Sequence, residues 1–151
     1  MSEKYYTQME AARKGIITEE MRAVARKEYR TEEEIRDLVA KGQVAICANK
    51  RHKCLDPNGV GSMLRTKINV NLGVSKDCKD YEVEMEKVMA AVNMGAEAIM
   101  DLSSHGNTQP FRRKLTQECP AMIGTVPVYD SVIHYKRDLA TLTAKDFIDV
   151  V

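Results

Sequence analysis

At 151 residues, 44% of them apolar and 30% charged, the chain is long enough for one domain with a real core and too apolar to be disordered. Twenty-three Lys and Arg against 22 Asp and Glu leave a net charge of +1, which gives no electrostatic case for nucleic acid or an anionic membrane. No apolar run nears the roughly 20 residues of a membrane span, and MSEKYYTQMEAARKG holds no signal-peptide core, so the expected compartment is the cytosol.

The first 43 residues read as helical. Thr7 precedes QMEAARK, and Gly15 stands where a helix C-terminal cap belongs. Thr18 with Glu19 and Glu20 suits a second start, because acids in a first turn complement the helix dipole. Thr31 with Glu34 makes a capping box before EIRDLVAK, which Gly42 closes. VAICA (44–48) reads as a short buried strand, and Asn49 to about Ser62 as a loop containing the turn signal Pro57-Asn58-Gly59.

A regular alternation follows. KINVNLG (67–73) is a strand with apolar Ile68, Val70 and Leu72 on one face and Lys67, Asn69 and Asn71 on the other. Asp80 to Met94 is a helix that Gly95 ends, with Val83, Val88, Ala91, Val92 and Met94 as its apolar residues. AIMDLSS (98–104) is a strand, Gly106-Asn107 a turn, and Pro110 to Glu118 a helix. MIGTVPVY (122–129) reads as a third strand, and Thr143 opens a last helix. Strands alternating with helices mean βα units and a parallel sheet. Asn71 to Met100 is 29 residues, and Met100 to Tyr129 is again 29. A repeat near 30 matches a (βα)8 barrel, whose chemistry sits at the C-terminal ends of its strands.

Two asparagines on one strand face are unusual, because their side chains compete with the ladder for backbone hydrogen bonds. Facing the interior of a barrel, Asn71 would stand at its mouth, where polar groups meet a ligand. The alternative is that the pair satisfies loop backbone at a strand end. The four cysteines, Cys47, Cys54, Cys78 and Cys119, match no zinc or iron-sulfur spacing. Cys47, His52 and Cys54 lie close enough for a metal site to be considered; a buried Cys47 and a loop thiol at Cys54 is the favoured reading.

In order and spacing, TQMEAARKGIITEEM, LRTKINVNLG, GAEAIMDLSS and IGTVPVYD closely resemble the ThiC family across essentially the whole chain. The resemblance implies a radical S-adenosylmethionine lyase built on a (βα)8 barrel and acting on 5-aminoimidazole ribonucleotide. One branch makes the hydroxymethylpyrimidine phosphate of thiamine, the other the 5-hydroxybenzimidazole of cobamides. It implies substrate contacts at Asn71, Met100 and Tyr129. DLSSHG (101–106), where the thiamine branch usually reads DLSTG, leans toward the benzimidazole branch.

The family's zinc-binding histidines and the CxxCxxxxC ligands of its 4Fe-4S cluster have no counterpart in these residues. The fold expected is therefore α/β: a helical N-terminal segment with one short strand and a loop (1–62), then the first three βα units of an incomplete (βα)8 TIM-type barrel (63–151). The chain is expected to be the N-terminal portion of a cytoplasmic enzyme that is a homodimer when complete, and alone is expected neither to turn over substrate nor to be a well-folded monomer. A free-standing, non-catalytic ligand-binding α/β domain is the alternative.

Overall fold

Threonines open the three N-terminal helices of the computed structural model, which describes residues 5–151. Helices α1 (Gln8–Arg13), α2 (Glu19–Glu28) and α3 (Glu32–Ala40) follow Thr7, Thr18 and Thr31, whose side-chain oxygens accept from Glu10, Met21 and Glu34 backbone N–H groups. The Thr31–Glu34 capping box is reciprocal, as expected. The described residues divide into two compact units, the first ending at Lys67 and the second beginning at Ile68.

In the first unit, Ala11, Met21, Val24, Ile35 and Val39 form a helical core to which Val44 and Ile46 of β1 (Val44–Ile46) add. A second strand, β2 (Gly59–Gly61), pairs antiparallel with β1 inside the stretch expected to be loop. A glycine-flanked triplet has no alternation to read, so only its partner reveals it. Cys47 is exposed rather than buried, because strand alternation turns it outward with Ala45. Lys67 does not sit on a sheet: its ammonium is held by Glu28, with both side chains buried. Arg65 completes that knot, its backbone N–H donating to Glu28 at 2.8 Å.

The second unit is three successive βα units: β3 (Asn69–Leu72), α4 (Tyr81–Asn93), β4 (Ala98–Asp101), α5 (Thr108–Glu118), β5 (Met122–Thr125) and α6 (Pro127–Tyr135). A 3-10 turn at Leu139–Thr141 and α7 (Ala144–Val150), capped by Thr143 as expected, complete it. The strands run parallel in the order β3-β4-β5. One sheet face supplies Val70, Leu72, Ile99 and Ile123 to a core with Met85, Val88 and Ala91 of α4 and Phe111 and Leu115 of α5. Val88 and Ala91 lie on the buried face of α4 as expected, with Val92 packed beside them; that face also holds Glu84, while Val83 and Met94 are exposed. Asn69, Asn71, Met100 and Gly124 alternate onto the other sheet face, exposed or half-buried.

Two expectations need correcting. The strand over 122–129 stops at Thr125, and Tyr129 lies in the first turn of α6. Pro127 occupies the first helical position, where its missing N–H leaves no bond unmade and its fixed φ suits the helix. The 29-residue interval likewise holds only between β3 and β4, where Asn71 pairs with Met100; Met100 pairs with Gly124, not Tyr129. Among the described residues no helix is long and apolar enough to cross a membrane.

Candidate functional site

The C-terminal ends of β3 and β4 bring Asn71 and Met100 side by side as register partners. Tyr129 follows just after β5, its backbone N–H donating to the Val126 carbonyl at 3.0 Å and the residue 41% exposed. The structure thus brings two of the three expected residues together on adjacent strands and puts the third on the helix that continues the next.

The paired asparagines have a local explanation. Asn69 Nδ2 donates to Asn71 Oδ1 at 2.9 Å along the same strand face. With its oxygen engaged, Asn71 keeps two N–H donors for another acceptor. Asn69 thereby fixes the orientation of the Asn71 amide, a role its place in the strand pattern did not announce.

Met100 has a shelf. A Cβ at position 124 would lie 2.7 Å from the Met100 Cε and 2.8 Å from its Sδ, so the thioether crosses Gly124 at a distance only glycine permits. The intruding contact is with the free end of a flexible side chain, which can move aside. Gly124→Ala is expected to cost about 1 kcal/mol of stability while displacing the methionine tip. Thermal unfolding should change little, and affinity for any ligand resting on Met100 should fall several-fold; unchanged affinity would remove Met100 from the site.

The loops at these strand ends are held by buried polar groups. Glu84, fully buried, accepts the Gly73 N–H at 2.9 Å and pairs with Lys87. Ser103 Oγ accepts the Val74 N–H at 3.1 Å, while the Ser103 hydroxyl and N–H both donate to Asp101. Leu102 and Ser104 N–H groups bond to the Leu72 and Val74 carbonyls at 2.7 and 3.0 Å, tying the loop after β4 to the end of β3 and the loop that follows it. Tyr81 donates to the His105 carbonyl at 3.2 Å, and burial pushes its phenol pKa up. A concavity of about 660 Å³ lies elsewhere, in the first unit among Tyr5, Met9, Val44 and His52, and carries none of the three residues.

Among the described residues, no group of three or more His, Cys, Asp and Glu side chains is placed to hold a metal ion, and Cys47, His52 and Cys54 form no such group. The described residues do not fit an iron-sulfur cluster or a zinc site.

Residues 7–151 match the model of the radical SAM ThiC family. The phosphomethylpyrimidine synthase of Alkaliphilus oremlandii (strain OhILAs) is 59% identical over 148 residues, which is 98% of this chain and 34% of that protein. Those of Alkaliphilus metalliredigens (strain QYMF) and Clostridioides difficile (strain 630) are 60% and 56% identical, each over 147 residues, 97% of this chain and 34% of theirs. The chain spans about a third of the length of the curated relatives it matches.

Proposed function

The chain belongs to the radical SAM ThiC family, and from that premise we propose that it is one wall of the substrate pocket of a phosphomethylpyrimidine synthase. In the complete enzyme the βα units continue into a (βα)8 barrel, and the substrate is 5-aminoimidazole ribonucleotide. Asn71 offers its amide donors to a ribonucleotide oxygen, Met100 lies against the flat ring, and the Tyr129 hydroxyl reaches a phosphate or ribose oxygen. S-adenosylmethionine, a 4Fe-4S cluster and zinc would be held by residues outside this chain. The enzyme is a cytoplasmic homodimer. The observation that carries this reading is the placement of Asn71 beside Met100 at the C-terminal edge of a parallel sheet, the edge at which βα barrels keep their chemistry.

In the full-length enzyme, Asn71→Ala is expected to weaken 5-aminoimidazole ribonucleotide by about 1–3 kcal/mol, the usual consequence of leaving a polar partner unpaired. A calorimetric titration measures it, and an unchanged affinity would sink the assignment. The segment DLSSHG supports a second reading, in which the product is 5-hydroxybenzimidazole. The 56–60% identity to phosphomethylpyrimidine synthases favours the pyrimidine. Mass spectrometry of the product of an anaerobic turnover separates the two.

A further inference from the structure

We infer that Arg112 is a positioning residue for the substrate wall, acting on Met100 and Tyr129 through the carboxylates that follow each of them; this rests on the pocket reading above. Arg112 stands on α5, its side chain 21% exposed, and donates from Nε to Asp101 at 2.7 Å and from Nη1 to Asp130 at 2.5 Å. Asp101 is fully buried and Asp130 nearly so. Asp101 is the residue after Met100, and Asp130 the residue after Tyr129. One guanidinium therefore bridges the end of β4 to the first turn of α6.

The bridge extends in both directions. Thr108 donates to the second oxygen of Asp130 at 2.9 Å. The second oxygen of Asp101 takes Ser103, whose hydroxyl oxygen in turn receives the Val74 N–H, three residues beyond Asn71. A continuous set of buried and part-buried polar contacts thus reaches the residues that follow Met100 and Tyr129 and the backbone three residues beyond Asn71. Burial works against the charge on Arg112, but the hydrogen bonds to Asp130 and Asp101 more than reverse that and raise its pKa. Its Nη2 is buried with no hydrogen-bond partner among the described residues. An unsatisfied buried donor is unfavourable.

Strand alternation puts Asp101 and Met100 on opposite faces of the sheet, so Arg112 acts from the helix side and does not touch the substrate. Its influence is geometric. A fork with fixed donor directions sets the backbone at 101 and 130, and with it the side chains one residue earlier. Misplacing a binding group by about 1 Å can cost about 10²-fold. Lysine preserves the charge but not the fork.

The test uses the full-length enzyme carrying Arg112→Lys and, as a milder change, Thr108→Val, which removes only the support of Asp130. Affinities for 5-aminoimidazole ribonucleotide and for S-adenosylmethionine are measured at a temperature where circular dichroism shows each variant folded. Arg112→Lys is expected to weaken the ribonucleotide about tenfold and Thr108→Val about threefold, with S-adenosylmethionine affinity unchanged. A lowered melting temperature with both affinities intact would make the bridge merely structural and overturn the inference, as would equal loss of both ligands. Asn71→Ala run alongside separates the failures. If it weakens the ribonucleotide and the bridge variants do not, the bridge inference alone falls; if it too has no effect, the pocket reading falls with it.

Discussion

Lys67→Met is expected to destabilise the first unit by about 3–5 kcal/mol, because it strands a carboxylate that water cannot reach. The Glu28 side chain is 2% exposed and that of Lys67 5%. Burial alone would raise the Glu28 pKa, yet bonds from the Lys67 ammonium and the Arg65 N–H, with both positive charges, leave it lowered. Removing the ammonium leaves mainly the Arg65 groups, one of them a guanidinium 3.9 Å away with half its side chain in solvent. Urea unfolding followed by helical circular dichroism measures the loss. The double change Lys67→Met with Glu28→Gln should be markedly milder than Lys67→Met alone, since no buried charge is left unpaired. A loss below about 1 kcal/mol in the single variant would mean the pair behaves as a surface ion pair. The pH dependence has a definite sign. A lowered folded pKa gives stability that is present at neutral pH, above the ordinary carboxylate value, and is lost as pH falls through the folded value. Glu28→Gln should flatten that acid limb.

Gly73→Ala should cost about 3 kcal/mol and abolish tight substrate binding together. Gly73 has φ +142°, and a Cβ there would lie 2.5 Å from the Ser103 nitrogen and 2.8 Å from the Leu102 carbonyl carbon. Those are backbone atoms of the neighbouring loop, which cannot swing aside as a side chain can. Relief would have to part the end of β3 from the loop after β4, breaking the Gly73–Glu84 and Val74–Ser103 bonds and moving Asn71 away from Met100. Chemical denaturation and ribonucleotide titration should both respond. A variant of undiminished stability would show that the two loops part without penalty.

What could be read from the residues, and what could not, divides on range. The caps at Thr18, Thr31 and Thr143 act within four residues, so they were legible and are formed. Strand β3 announced itself by alternation, and the asparagine pair was visible as an anomaly, although the bond from Asn69 to Asn71 was not. MIGTVPVY misled because period two over a few residues also suits a strand that ends and a helix that begins at Pro127. Arg112 carried no signal at all. In FRRKL it reads as one charge of a solvated helix face, and only the tertiary fold brings Asp101 and Asp130 against it. Gly124 was equally silent, since its purpose lies in the methionine on the next strand.

The connections at the C-terminal edge of the sheet differ in a way that bears on how such a pocket can change. Residues 73–80 join β3 to α4 and residues 102–107 join β4 to α5, but Val126 alone separates β5 from α6. A single joining residue leaves no slack: inserting or deleting one there would displace the start of α6, and Tyr129 in its first turn, relative to β5. The longer connections can absorb such edits at their tips. Changes of length are therefore accommodated more easily on the β3 and β4 side than at the β5 side. Anyone redesigning this wall would edit residues 75–79 first and leave the Thr125–Pro127 join alone.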